Sequence, residues 1–304
     1  FCLITYINGV IFIEKQHGVT AVLAHEHSLE IDLKELPYFM YVLSTLPMTL
    51  KDDSIFHCLQ WLMFFMAAMI YVSQKYLQTP YGKHLKGGWG PTIPSPWAWF
   101  LMESPTIWLT LIVFPFGRNS TNPKALILMA PFLIHYLNRT VIYPIRIHVN
   151  SGGKNSEFPV SVAAIAFVFN IINGYLQARW ISHYKTDFGG FFWWKFGVGL
   201  MVFALGLRIN IWADGVLVRL KRQGRGYQIP RGGLYELICC PNYLGEIIEW
   251  IGWALMTWSF AGFVFFLNTC ANLVPRARDS RIWYLERFKT QFPKSRKALI
   301  PFFY

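Results

Sequence analysis

Charge is what this sequence has least of. Only 14% of its 304 residues are Asp, Glu, Lys or Arg, against about 25% in a soluble domain. So few charges cannot cover a water-facing surface, which excludes a soluble enzyme, a disordered chain and a fibrous repeat. Cysteine is also sparse: Cys2, Cys58, Cys239, Cys240 and Cys270 are odd in number, form no CxxC and have no histidine at ligand spacing. That excludes a disulfide framework and a zinc site, and Cys239 and Cys240 read as packing residues. His25 and His27 in AHEHS read as a solvated loop, so no metal is expected. There is no internal repeat and no low-complexity tract. No GxGxxG sits between a strand and a helix, so a Rossmann domain is excluded.

Apolar residues, by contrast, make up 54% of the chain, and they come in runs of about 20, the length that crosses a bilayer. Five such runs lie at Ile55–Leu77, Trp97–Phe116, Ala125–Tyr143, Phe158–Gln177 and Phe191–Trp212. A sixth, Leu244–Val274, would make a helix of about 46 Å, too long for a hydrocarbon core of about 30 Å. Trp258-Ser259-Phe260-Ala261-Gly262 offers a turn in its middle. Splitting there predicts an all-α, seven-span bundle. Phe1–Ile13 is apolar but too short to span and has no basic n-region, so it makes a poor signal peptide.

The net charge of +12 would suit nucleic acid, but its distribution points to membrane lipid and a phosphate-bearing cofactor instead. In the seven-span arrangement the first, third and fifth loops and the tail share one face and carry 17 Lys/Arg, against 7 on the other face. The positive-inside rule then makes the first face cytosolic, with the C-terminus on it. A six-span arrangement would separate the Arg219–Arg231 loop from the tail. Asn119-Ser120-Thr121 is a glycosylation sequon on the lumenal side, too close to a span for use.

Polar residues inside spans are costly and by default functional. Glu103 lies in WAWFLMESPTIW, which contains no basic residue. Tyr136, Arg139 and Tyr143 recur at i, i+3, i+7; Asn210, Asp214 and Lys221 at i, i+4, i+11; Asn242, Glu246 and Glu249 at i, i+4, i+7. Each set shares one helical face. One stripe alone could be interhelical glue. Four facing a common interior would build a polar chamber at the cytosolic side. Arg139, Lys221, Arg222, Arg225 and Arg231, with Gly224, Gly226, Gly232 and Gly233, suit an anionic, phosphate-bearing ligand.

These residues lie in motifs that resemble the steroid 5-alpha-reductase family. GGLYELICCPNYLGEIIEWIGWALMTWS and PKSRKALIPFFY are similar to its C-terminal half, and RINIWADGVLVRLK, HYLNRTVIYP, NGYLQ and PYGKH with AWFLMESPT extend the match from about Tyr81 to Tyr304. The last wording is most like the plant branch, which acts on campestenone-type sterols in brassinosteroid synthesis. The resemblance implies an endoplasmic reticulum membrane enzyme of residues 55–304, preceded by an extension of unknown role, that reduces the Δ4 double bond of a 3-oxo steroid with NADPH. It places Glu103 and Tyr136 at the substrate's 3-keto oxygen and Trp99 and Met102 along the substrate. Arg139, Tyr143, Asn210, Asp214, Lys221, Tyr227, Asn242, Glu246 and Tyr284 fall on cofactor-lining positions. Lys221 stands where animal members have arginine, Met102 where they have glutamine, Gln228 for an arginine and Asp279-Ser280 for a histidine pair.

The implied chemistry agrees with the residues. Hydride delivered to C5 of the enone drives negative charge onto the 3-oxygen, where donors stabilise the enolate. An unpaired carboxylate is too costly to bury in hydrocarbon, so Glu103 is expected to be neutral and to donate, as a protonated acid does in ketosteroid isomerase. Two other readings remain at this point. One is a polyprenol or enoyl-lipid reductase of the same superfamily; the other is a non-catalytic sterol-binding membrane protein.

Overall fold

In a computed structural model, the backbone is described for residues 3–7, 10–15, 18–23, 50–151 and 156–304, and side chains for 52–151 and 156–304. The chain divides into two units, Phe1–Thr45 and Leu46–Tyr304. In the first, β1 (Leu3–Ile7), β2 (Val10–Lys15) and β3 (Gly18–Leu23) form an antiparallel sheet in the order β1-β2-β3. His25 and His27 lie outside the described residues.

The second unit is helical. Its elements are α1 (Leu50–Tyr76), α2 (Ser95–Glu103), α3 (Pro105–Val113), α4 (Pro123–Leu137), α5 (Tyr143–Val149), α6 (Val160–Arg179), α7 (Phe192–Arg222), α8 (Pro241–Thr257) and α9 (Phe260–Phe288). Two short strands, β4 (Thr92–Pro94) and β5 (Glu157–Pro159), pair antiparallel beside them. Five helical stretches are long and apolar enough to cross a membrane: Asp52–Tyr76, Ser95–Phe116, Pro123–Val149, Val160–Tyr184 and Phe192–Arg222. They overlap the first five expected runs, the fourth and fifth continuing past the expected ends at Gln177 and Trp212 to Tyr184 and Arg222. Large apolar side chains on their outer surfaces, such as Met69, Trp194 and Met201, are exposed, as lipid-facing positions require.

The long sixth run folds as the spacing predicts. Trp258 adopts φ 47° and ends α8, and the Ser259 hydroxyl accepts from Gly262 N–H to open α9. The tail differs from expectation. Helix α9 does not stop near Val274 but continues through Pro275 to Phe288, and Asn268, Asn272 and Arg276, at i, i+4 and i+8, share one cavity-lining face of it.

Two interruptions place Glu103 and Arg139. Pro105 has no N–H to give the Leu101 carbonyl; the Ser104 hydroxyl supplies that bond instead at 3.0 Å. The helix therefore breaks just after Glu103. Pro144 likewise leaves the Thr140 carbonyl without its helical donor, and the chain opens into a π-turn at Asn138–Ile142 that carries Arg139. Such wide turns recur at functional sites.

Helices α7 and α8 touch through glycines seven residues apart on each, Gly199 and Gly206 against Gly245 and Gly252. A Cβ on Gly245 would lie 2.5 Å from the Asn210 backbone nitrogen, so no side chain fits. Small residues of this kind let helix backbones approach inside a membrane. At the other side of the bundle, Asp52 at the start of α1 receives Arg179 at 2.8 and 3.2 Å, Tyr175 at 2.7 Å and Tyr184 at 3.1 Å. This ties α1 to α6. Arg179 thus belongs to the interior and not to a loop charge count. Asn119 donates its amide to the Ile181 and Lys185 carbonyls at 3.0 and 2.8 Å, which engages the sequon nitrogen in the fold.

Gly245→Leu should prevent the α7–α8 contact. Overpacking of this kind costs about 1–3 kcal/mol or more, so the purified protein should show a clearly lower unfolding midpoint in detergent, while Gly197→Leu, in open space, should leave it unchanged.

Candidate active site

A cavity of about 400 Å³ lies among α1, α2, α4, α6, α8 and α9, within the range of small-molecule sites. Its walls are mostly apolar and aromatic, among them Trp99, Met102, Phe158, Phe169, Trp250 and Phe265, and its polar groups include Glu103, His135, Tyr136, Arg139, Glu246 and Arg276. Of the residues expected from sequence, Glu103, Tyr136, Arg139, Glu246, Trp99 and Met102 therefore share one chamber.

Glu103, at the end of α2, accepts from the Asn170 amide at 3.0 Å. Among the described residues no ion pair reaches it. Tyr136, in α4, rests on Phe132 and Trp250 with ring centroids at 4.6 and 5.9 Å, and its oxygen accepts from Asn173 at 3.2 Å. Arg139 lies over the Trp99 and Tyr143 rings at 4.3 and 5.0 Å, and donates to Asp214 at 3.3 Å. Asp214 in turn accepts from Asn242 at 3.0 Å, and Asn210 donates to the Asn242 carbonyl at 3.1 Å and to Glu246 at 3.4 Å. The close α7–α8 approach makes this polar row continuous behind Arg139.

Not every expected residue joins it. Lys221 is exposed and donates to the Ser156 hydroxyl at 3.1 Å. Tyr227 is exposed and packs edge-on against Trp283 at 5.2 Å. Tyr284 is buried in a separate cluster, stacked on Phe292 at 5.3 Å with Lys83 over its ring at 4.2 Å. None of the three lines the cavity. Glu249 does not line it either: it bonds His135 at 2.7 Å and is fully buried. Cys239 and Cys240 are packing residues, and burial pushes the Cys239 thiol up to about 12.

Several lining residues were missed by sequence reasoning. Asn170 escaped attention because amides carry no charge. Asn268, Asn272 and Arg276 line the same chamber from one face of α9. Their four-residue spacing was a usable signal, but Arg276, which completes it, falls beyond the end of the apolar run at Val274.

Fold and cavity define a polytopic helical protein of membrane-spanning type with an apolar-walled chamber, carrying a few polar groups, inside its bundle. A sequence model of the 3-oxo-5-alpha-steroid 4-dehydrogenase family matches residues 156–304. Steroid 5-alpha-reductase DET2 of Gossypium hirsutum is 58% identical over 257 residues, covering 84% of this chain and 99% of the relative. The protein of the same name from Arabidopsis thaliana is 60% identical over 235 residues, 76% of this chain and 89% of the relative. The 3-oxo-5-alpha-steroid 4-dehydrogenase 1 of Mus musculus is 38% identical over 265 residues, 84% and 99% of the two chains. The chain belongs to the steroid 5-alpha-reductase family.

Asp214→Ala should leave Arg139 buried beside a lost partner. Breaking a buried pair costs about 3–5 kcal/mol, so the variant should unfold at a markedly lower temperature, whereas Asp214→Asn, which keeps an acceptor oxygen, should lose less.

Proposed function

We propose that this protein reduces the Δ4 double bond of a 3-oxo steroid, with Glu103 and Tyr136 holding the 3-keto oxygen. The observation that carries this reading is that a carboxyl and a phenol open on the same apolar-walled cavity. Both groups can donate to one ligand oxygen, and the aromatic walls suit a flat, rigid, apolar body. As negative charge develops on the 3-oxygen, two donors already in place stabilise it without reorganisation. The plant relatives and the plant-like wording PYGKH and AWFLMESPT support a sterol of the campestenone type, in brassinosteroid synthesis, as substrate.

NADPH fits the residues present. Asn210 Oδ1 is buried without a partner, in the polar row with Asp214, Asn242 and Glu246. Gly224, Gly226 and Gly232 have positive φ and open space where a Cβ would stand, beside Arg219, Lys221, Arg222, Arg225 and Arg231. The basic stretch would hold phosphates and the polar row the ribose and amide groups, with Arg139 and Tyr143 between that row and the steroid. The bound cofactor supplies the hydride; the chain supplies position and donors. Lys221, Tyr227 and Tyr284 complete the cofactor-holding set that the family resemblance implies.

The seven-span topology, with the tail cytosolic in the endoplasmic reticulum membrane, belongs to the same reading. Cys239 N–H bonds the Lys297 carbonyl at 2.8 Å and Arg296 bonds the Pro230 carbonyl at 3.0 Å, so the fifth loop and the tail meet at one end of the bundle. Strands β4 and β5 join the first and third loops, and Lys221 reaches Ser156 in the third. These contacts support grouping the four basic segments on one face.

Turnover per mole of folded protein tests the mechanism. Glu103→Ala should lose about 10²–10³ in rate, the size found for other oxyanion donors; Glu103→Gln should retain more than Glu103→Asp. Tyr136→Phe should lose a similar amount, and the double variant less than the product, since both act on one oxygen. A near-normal rate for Glu103→Ala, with only the folded yield reduced, would assign Glu103 to helix packing. For topology, an epitope placed after Tyr304 should be accessible once the plasma membrane alone is permeabilised; protection until inner membranes dissolve would overturn the orientation.

A further inference from the structure

Behind the two groups that open on the cavity stands a row of amides whose direction is chemically determined. Asn170, Asn173 and Gln177 recur at i, i+3 and i+7 on one face of α6 and are buried. Trp253 Nε1–H can only donate, and it donates to Gln177 Oε1 at 2.9 Å. The Ala261 carbonyl can only accept, and it receives Gln177 Nε2–H at 3.0 Å. Gln177 therefore has one orientation, and its second N–H goes to Asn173 Oδ1 at 3.1 Å. Asn173 is left with its Nδ2–H facing the Tyr136 oxygen at 3.2 Å. Turning Gln177 over would set N–H against the Trp253 N–H and oxygen against the Ala261 carbonyl, and turning Asn173 over alone would set its N–H against that of Gln177, in a dry interior. Asn170 acts alike on the other group, donating to the Met102 carbonyl at 2.7 Å and to Glu103 Oε2 at 3.0 Å.

We propose that this amide row, anchored on Trp253 and Ala261, makes Tyr136 a donor toward the ligand and so selects a carbonyl oxygen over a hydroxyl at that point of the cavity. Gln177 and Asn173 are positioning residues that act through Tyr136. The phenol oxygen already accepts from Asn173, so its own hydrogen serves the ligand. Asn170 covers Oε2 of Glu103, so the proton of the neutral acid sits on Oε1. A ketone oxygen accepts from both groups. A ligand hydroxyl brings a hydrogen whose nearest acceptors, the Tyr136 oxygen and Glu103 Oε2, are already engaged by Asn173 and Asn170, and a poorly matched buried polar group discriminates against that ligand. The inference deepens the 3-oxo-steroid reading and rests on it.

Binding can test it without turnover. The probes are a saturated 3-oxo steroid and the matching 3-hydroxy steroid, neither of which has a Δ4 bond to reduce, titrated onto the whole 304-residue chain in detergent with NADP+ present. Wild type should prefer the ketone. Asn173→Asp places an oxygen against Tyr136, which then donates inward. Gln177→Glu removes the N–H given to Asn173, whose amide then turns over with the same result. Each should lower the ketone-to-alcohol preference about tenfold, the effect of one hydrogen bond in a buried site. Each should also lower kcat for a Δ4-3-oxo steroid more than it raises KM. In a Tyr136→Phe background neither substitution should change the preference further, a result that a merely structural role would not give. Trp253→Phe removes the anchoring N–H together with part of a fully buried ring; compared at its own unfolding midpoint, it serves should the acidic variants fail to fold, and is expected to shift the preference in the same direction.

Variants that keep the wild-type unfolding midpoint and the wild-type preference would overturn the proposal. So would an equal further change in the Tyr136→Phe background. A wild-type protein that binds the ketone, with a preference indifferent to Tyr136→Phe, would sink the amide row but leave the steroid reading standing. Binding of neither probe by wild type would remove both.

Discussion

The contact between α7 and α8 is the constraint on which the polar interior depends. Gly199, Gly206, Gly245 and Gly252 bring the two backbones so close that Asn210, Asp214, Asn242 and Glu246 can bond across the seam. In lipid the hydrophobic effect does not drive helices together, so close packing and hydrogen bonds must do so. The seam supplies both, and Asp214 then holds the guanidinium of Arg139. Any bulkier residue at those glycines would separate the helices and leave a buried cation and two carboxyl groups without the geometry that makes them tolerable.

Departures from helical regularity place the remaining groups. Proline at 105 and 144 denies a carbonyl its donor in each case. The first break leaves Glu103 at a helix end, and the second widens the turn that carries Arg139. Around them, the aromatic cluster of Phe132, Phe203, Trp250, Trp253 and Phe265 is buried and gives Tyr136 a rigid bed. In the proposed mechanism, a phenol and a carboxyl held in this way would need little adjustment when charge develops beside them.

Donor and acceptor roles inside the bundle follow from groups that have only one role to play. An indole N–H and a backbone carbonyl orient Gln177, and that orientation passes through Asn173 to Tyr136. A chain of neutral amides in a dry interior can thus hold a proton direction without any charge. Charged groups would do this at a far greater desolvation penalty.

What the sequence determined by itself was the class of fold and the identity of its costly residues. Runs of about 20 apolar residues, few charges, and carboxyl groups recurring at helical spacing are local properties, so the first five helices, the turn at Trp258 and the chamber-lining Glu103, Tyr136, Arg139 and Glu246 could be read directly. Family motifs added the chemistry that spacing alone could not name. Tertiary structure decided which polar stripes meet. Spacing shows that Glu249 shares a face with Glu246, but only the approach of α4 brings His135 to it; Lys221 follows Asp214 on α7 yet ends outside, because the helix outruns the interior. Asn170, Asn173 and Gln177 obey the same periodicity and were passed over, since a neutral amide carries no sign of cost until its partners are known. Those partners lie up to 84 residues away in the chain, and pairings across that distance are fixed by packing, which no local pattern encodes.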